Sequence, residues 1–244
     1  MKLHGRKAEE SPDPGPSLRA APFFAAVTSE PEPLLSPRQR QQLLAIATRI
    51  KLSARSVVYR EQTPAQWVFI NAEGVVKTFK ELRSGRRCVM SFWYPKDVFG
   101  LASNGLYVRT AQAVTAVELY RIETDVLVET LRRDAELQFR FLCKVTHELR
   151  ETQRQAIIVG RRDAVGRLAM FIRHLERSSQ DRRHSGDIDI PMSRSDVASY
   201  LGLSLESVSR ATSKLEKRGI ITFPDRHSAR ILDRQQFERL AIPV

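Results

Sequence analysis

The run from Ser193 to Arg210 holds the residues best equipped for recognition chemistry. Glu206 and Arg210 lie four apart, with Ser209 between them. On a helix that spacing puts both charges on one face. A carboxylate there can accept from cytosine N4. A guanidinium can donate to guanine N7 and O6 or to a phosphate, and a serine is small enough to approach a thymine methyl. Ser207 lies inside the same run. Lys214, followed by Lys217 and Arg218, extends a basic face, and Arg194 adds a cation just upstream. We read Glu206, Ser207, Ser209, Arg210, Lys214 and Arg194 as the candidate DNA-binding set. Enzymatic signatures are missing: there is no P-loop, no Gly-x-Gly-x-x-Gly, no His-Glu-x-x-His and no Gly-x-Ser-x-Gly. Nothing supplies a catalytic nucleophile or a metal site, so an enzyme is not expected.

Two short helices must carry these side chains. Ser193 is placed to cap the first, with Asp196 three residues on in the spacing of a capping box. Val197, Ala198 and Leu201 give that helix an apolar face. Gly202 is placed for the left-handed turn that stops it. Ser204 can cap the second helix, whose Val208, Ala211 and Leu215 continue an apolar stripe until Gly219 ends it. The pattern predicts a helix-turn-helix with the second helix in a major groove. Ile220–Phe223 and Ala229–Leu232, on either side of Pro224–Ser228, read as two short strands forming a wing.

The chain has 244 residues and carries 40 basic against 28 acidic residues, a formal charge of +12. Its pI is about 10.2. Such a balance favours an anionic partner, nucleic acid first and a membrane surface second; the double-stranded DNA partner is expected from the helix-turn-helix. No apolar run approaches the ~20 residues of a membrane span. The first residues lack a secretory signal pattern, so a cytoplasmic protein without membrane association is expected. Cys88 and Cys143 are too few for a disulfide framework or a four-thiolate cluster.

Residues 1–35 hold six of the 12 prolines and read as a disordered tail. Ser36-Pro37 opens a short helix with Leu43, Leu44, Ile46, Ala47 and Ile50 on its apolar side. From Leu52 to Ile122, β-rich runs alternate with turn signals, as an antiparallel sandwich or small barrel requires. Glu123 to Val159 reads as one helix. Leu142, Val145, Leu149, Thr152, Ala156 and Val159 follow one another at gaps of three and four, a coiled-coil seam. We take this seam as the dimerisation surface, since two-fold proteins read two-fold DNA sites. Arg161-Arg162-Asp163 reads as a hinge. Val165, Leu168, Ala169, Ile172 and Leu175 mark the next helix, and Ser178–Gly186 a polar loop. The expected class is α+β. Its parts are a tail (1–35), an antiparallel β-roll or jelly-roll (36–125), a long dimerisation helix (126–160) and a C-terminal winged helix-turn-helix (161–244).

That order of parts resembles the Crp/Fnr family of bacterial transcription regulators over roughly residues 36–240, most specifically in Asp196–Arg210. Glu206–Arg210 is similar to the recognition helix of the Fnr and FixK branches, which implies TTGA half-sites and a palindrome of the type TTGA-N8-TCAA. The cAMP-receptor branch carries arginine before this glutamate; Leu205 stands here, against a TGTGA half-site. The resemblance also implies RNA polymerase as a partner, touched by a β-domain hairpin. The matching turn is Glu81-Leu82-Arg83-Ser84-Gly85-Arg86. It implies a cyclic-nucleotide-binding-like β domain, but Leu101 stands in place of the ribose-binding glutamate, and Arg109-Thr110 is a partial, displaced phosphate pair. No cysteine precedes Cys88, so the Fnr iron–sulfur cluster cannot form. His4 lies in the tail and His147 on the outer side of the long helix, where a lone histidine is more often solvated than a haem ligand. Cys88 beside Arg86 and Arg87 could favour thiolate but reads first as a small strand residue. The expected cofactor is none, with action as a homodimeric activator. An effector-gated regulator using cyclic nucleotide, haem or thiol redox is the alternative.

Overall fold

The structure, a computed structural model, describes residues 36–102, 104–179 and 187–242. The expected proline-rich tail and residues 180–186 of the expected polar loop lie outside that range.

Ser36 opens helix α1 (Pro37–Ala45) with a reciprocal capping box to Gln39. The helix ends sooner than its apolar pattern suggested: Ile50 belongs to strand β1 (Thr48–Leu52), where it sits opposite Leu119. The β-rich region then forms β2 (Val57–Tyr59), β3 (Trp67–Glu73), β4 (Val76–Glu81), β5 (Arg87–Trp93), β6 (Val98–Phe99), β7 (Thr110–Ala113) and β8 (Val117–Glu123). They pair antiparallel into two four-stranded sheets, in the orders β1-β8-β3-β6 and β2-β7-β4-β5.

Strand β3 shows why these residues choose this fold. Trp67-Val68-Phe69-Ile70 is apolar on both faces, as a strand packed on both sides must be. Phe69 points between the sheets with Val76, Phe99, Val117 and Leu119. Val68 and Ile70 point the other way, against Leu43, Ile122, Leu127, Leu137 and Phe141. Each such side chain contributes roughly 1.5–3 kcal/mol on burial. Inside the roll, Tyr59 stacks on Tyr107 at 3.8 Å and Phe69 on Phe99 at 5.4 Å. At the β3–β4 turn Gly74 has φ +80°, and a Cβ there would fall 2.2 Å from the Ala116 carbonyl oxygen. No side chain fits.

The helix expected from Glu123 to Val159 is two. Helix α2 (Thr124–Arg133) stops at Asp134, which is extended (φ −133°, ψ 94°) and caps α3 (Ala135–Gly160) by accepting from the Leu137 N–H at 2.9 Å. The break lets Leu127 and Leu137 both reach the roll, where both are buried. The expected dimerisation helix at 126–160 therefore spans a junction, and its seam lies wholly on α3. Arg161 is extended and ends α3 at the expected hinge.

Helix α4 (Ala164–Ser179) follows, longer at its end than the loop expected from Ser178. Then come β9 (Ile188–Asp189), α5 (Arg194–Leu201), α6 (Leu205–Lys217), β10 (Ile221–Thr222), β11 (Ser228–Ile231) and α7 (Arg234–Ala241). Strands β10-β11-β9 make a small antiparallel sheet, the wing. The core of this part is continuous with the roll: Val75, Phe79 and Val89 pack with Ile158, Phe171, Tyr200 and their neighbours. Phe92 of β5 closes on Tyr200 of α5 at 5.3 Å.

Candidate nucleic-acid interface

Helices α5 and α6 meet through Gly202, which is left-handed (φ 62°, ψ 36°). The Leu203 N–H behind it donates to the Ala198 carbonyl at 2.9 Å. Both helices start on a serine. Ser193 Oγ accepts from the Asp196 N–H and Ser204 Oγ from the Ser207 N–H, each at 3.1 Å. The Asp196 carboxylate does not reach back as a capping box would: it accepts from the Ser193 hydroxyl at 2.9 Å. Val208, Ala211, Thr212 and Leu215 are buried, so α6 presents a fixed opposite face.

That face carries Glu206, Ser209, Arg210 and Lys214, all exposed. Glu206 and Arg210 pair with each other at i,i+4, with side chains 71% and 78% exposed. A pair so open adds little to stability and is free to exchange for base edges or phosphates. Ser207 is half-buried, and its hydroxyl lies 2.8 Å from the Ser204 hydroxyl, so it serves the helix cap. Arg194 turns inward and donates to Thr212 Oγ1 at 3.3 Å, tying α5 to α6. The structure thus brings four of the six candidates onto one open surface and gives Ser207 and Arg194 supporting contacts. Composition and spacing did not single out exposed Ser195 at the start of α5 or exposed Arg226 at the wing tip.

Arginines hold this head to its hinge. Arg161 donates to the Leu240 and Ile242 carbonyls at 2.8 and 2.9 Å. Arg167 donates to the Arg161 carbonyl at 2.6 Å and to Leu201 at 2.9 Å. Burial alone would raise the Asp163 carboxyl; Arg161 and the Gly166 N–H outweigh it and hold Asp163 below the usual range. Burial, helped by nearby Glu151, pushes the Tyr200 phenol well up, so Tyr200 is neutral.

On α3 the seam faces solvent. Leu142, Val145 and Leu149 are 62%, 50% and 57% exposed, and Thr152, Ala156 and Val159 are exposed as well. Phe139 and Ile157 add two exposed apolar residues outside the strict spacing. At the β4–β5 turn Glu81, Leu82, Arg83, Ser84, Gly85 and Arg86 are all exposed. The turn closes by the Leu82 N–H on the Arg86 carbonyl at 2.9 Å, with Gly85 at φ +75°.

In the roll, Thr110 Oγ1 accepts from the Glu61 N–H at 3.0 Å. Cys88 points its thiol at the Met90 sulfur, 3.8 Å away. Among the described residues no group of three His, Cys, Asp or Glu could hold a metal ion, and no helix is long and apolar enough to cross a membrane. His4 lies outside the described residues, and the His147 side chain is not among those described.

A β-roll, a long helix with an exposed apolar stripe and a winged helix-turn-helix together define a DNA-binding regulator. Comparison with known proteins agrees. Residues 49–134 match the cyclic nucleotide-binding domain, and residues 166–240 match the Crp-like helix-turn-helix domain. The nitrogen fixation regulation protein FixK of Azorhizobium caulinodans is 30% identical over 229 residues, covering 93% of this chain and 91% of that protein. FixK of Rhizobium meliloti is 33% identical over 168 residues, 68% of this chain and 73% of that protein. The structure of FixK2 from Bradyrhizobium japonicum superposes with a TM-score of 0.76 at 30% identity, covering 82% of this chain and 99% of that one. The chain belongs to the Crp/Fnr family of transcription regulators, in a FixK-like branch without the iron–sulfur cysteines. It is a sequence-specific DNA-binding transcriptional regulator and not an enzyme.

Proposed function

We propose that this regulator acts in the cytoplasm as a homodimer, joined along α3, and activates transcription from a TTGA-type palindrome by touching RNA polymerase through the β4–β5 hairpin. In this reading residues 36–133 form the platform, α3 the dimer helix and residues 161–242 the DNA-binding head. Glu206, Ser209 and Arg210 read bases, and Lys214 meets phosphate. The observation that carries the reading is the exposed row Leu142, Val145, Leu149, Ala156 and Val159 on a chain that also exposes Glu206 and Arg210. An apolar stripe at heptad spacing is stabilised by a second helix.

The spacer is the free variable. TTGA quartets separated by eight base pairs have centres about twelve apart, and a spacer of six brings them to about ten, one helical turn. A spacer series therefore belongs in the test.

Val145→Glu and Leu149→Glu would place like charges against each other across the seam. Each should yield monomers by sedimentation and far weaker binding to the palindrome, since one half-site supplies about half the contacts. Unchanged sedimentation of both variants would show that the seam does not join two chains.

The aromatic filling of the roll, with Tyr59 against Phe69 and Tyr107 and Phe69 against Phe99, supports DNA binding that needs no nucleotide there. Equal titrations of the palindrome with and without cAMP are expected. A cAMP-dependent gain in affinity would favour effector gating instead.

A further inference from the structure

Strand β5 is the edge of its sheet, and an edge strand leaves a row of backbone groups unpaired. Here two side chains from other parts of the chain answer that row. Ser199 of α5 accepts from the Val89 N–H at 2.9 Å and donates to the Arg87 carbonyl at 2.8 Å. Gln155 of α3, itself buried, donates one amide nitrogen to the Val89 carbonyl at 3.1 Å and to the Tyr200 carbonyl of α5 at 3.2 Å. Beside them Lys77 of β4 pairs with Asp196 of α5, with side chains 13% and 16% exposed. Gln155 therefore meets the roll, the first helix of the helix-turn-helix and the helix bearing the seam at one point. It is the neighbour of seam residue Ala156.

We propose that Ser199, Gln155 and the Lys77–Asp196 pair are positioning residues for operator recognition. They pin α5 to the β5 edge and to α3, and so hold the recognition helix of each protomer at one angle to the dimer axis. None of them belongs to the DNA-facing surface of α6. Helix α6 follows α5 through the Gly202 turn, whose flanking Leu201 and Gly202 carbonyls accept from Arg167. A rotation of α5 is thus carried into α6. In a dimer, the angle of each recognition helix sets the distance between the two grooves that can be read together. The β-roll then works as a brace that selects half-site spacing. This inference rests on the dimeric DNA-binding reading above.

The test uses the full chain and a series of TTGA palindromes whose spacers run from four to ten base pairs, with single half-site and random duplexes as controls. Ser199→Ala and Lys77→Met should lower affinity at the best spacer by about tenfold, the usual size of a coupling between sites. They should also flatten the spacer profile, while half-site and random binding stay as in wild type. Ser199→Thr, which keeps the hydroxyl, should restore the profile. A role in folding alone would lower the melting temperature and weaken every duplex in proportion, with the profile unchanged; that result overturns the proposal. Wild-type profiles in both variants would overturn it as well. Should either variant fail to fold, amide exchange in the wild-type protein decides: Val89 N–H slowed to the level of paired sheet amides supports the clasp, and exchange at the rate of an open edge refutes it. If the wild-type chain prefers no palindrome at any spacer, the functional reading fails, and Val89 exchange still judges whether the clasp exists.

Discussion

Helices α5 and α6 begin alike and end up opposite in use. Each starts on a serine that accepts from the N–H three residues on, at 3.1 Å in both cases. In α5 three polar side chains are committed inside the molecule: Asp196 to Lys77, Ser199 to the β5 backbone and Arg194 to Thr212. In α6 the polar side chains of the outer face, Glu206, Ser209, Arg210 and Lys214, are open, and Glu206 pairs with Arg210 on its own helix. The difference lies in what is packed beyond each helix. A wall of α5 lies against the β-roll, while among the described residues the far side of α6 is open. One helix is therefore an instrument of orientation and the other an instrument of reading.

The contrast is broken most severely through the core that both helices share. Leu215 is fully buried and Leu205, ten residues earlier on the same helix, is 55% exposed. Leu215→Ala should destabilise folding by about 2–5 kcal/mol, whereas Leu205→Ala should stay within about 0.5 kcal/mol. Chemical denaturation followed by circular dichroism separates the two. Equal losses would mean that the outer face of α6 is covered.

The next effect concerns the two arginines. Arg210→Ala should cost about 1–3 kcal/mol on the cognate palindrome and relax specificity, with folding unchanged. Arg194→Ala removes the tie to Thr212 and should instead cost about 0.5–1.5 kcal/mol of stability. Binding of random duplex should be little altered by either change. If Arg210→Ala bound cognate and random duplexes as wild type does, α6 would not be the recognition helix.

Lys214 sharpens the contrast within α6 itself. It is exposed one turn beyond Arg210, where phosphate contact is expected in place of base contact. Lys214→Ala should weaken all sequences alike and reduce the salt slope by about one. A sequence-dependent loss measured over a salt titration would move Lys214 into the base-reading set.

The same two helices show how much could be read in advance. Everything local to α6 was legible: its serine cap, its apolar stripe, its open charged face and the glycine on either side. The apolar row on α3 was legible for the same reason, because heptad spacing is a property of one segment; what covers it is not. The commitments of α5 were not. Lys77 and Asp196 are 119 residues apart, and Val89 and Ser199 are 110 apart. No spacing rule relates residues at such separations, so Asp196 read only as half of a capping box and Ser199 carried no signal. The break at Asp134 was hidden differently. Helix-forming residues lie on both sides, and the reason to stop is tertiary, since Leu127 and Leu137 must both reach the roll. Ile50 was likewise drawn into a helical pattern by its spacing, and pairing opposite Leu119 in the sheet prevailed.

The smallest effect on DNA binding is expected at the β4–β5 hairpin, and there the comparison between positioning and reading gains a third member. Strand β5 contributes its edge to the clasp on α5, yet the turn just before it, Arg83 to Arg86, is exposed. Its backbone is closed by its own hydrogen bonds, Gly85 to Leu82 at 2.8 Å and Leu82 to Arg86 at 2.9 Å. The turn's shape therefore does not depend on its arginine side chains, and these are free to meet a partner. Charge reversal at Arg83 and Arg86 should leave the fold intact, leave palindrome affinity within about twofold, since surface substitutions shift energies by roughly 0.5 kcal/mol or less, and lower transcription activation. The decisive comparison is in vitro transcription beside a binding titration on the same promoter. Full activation by the reversed variant would remove the hairpin from polymerase contact. Loss of DNA affinity in step with activation would place its arginines on the DNA path.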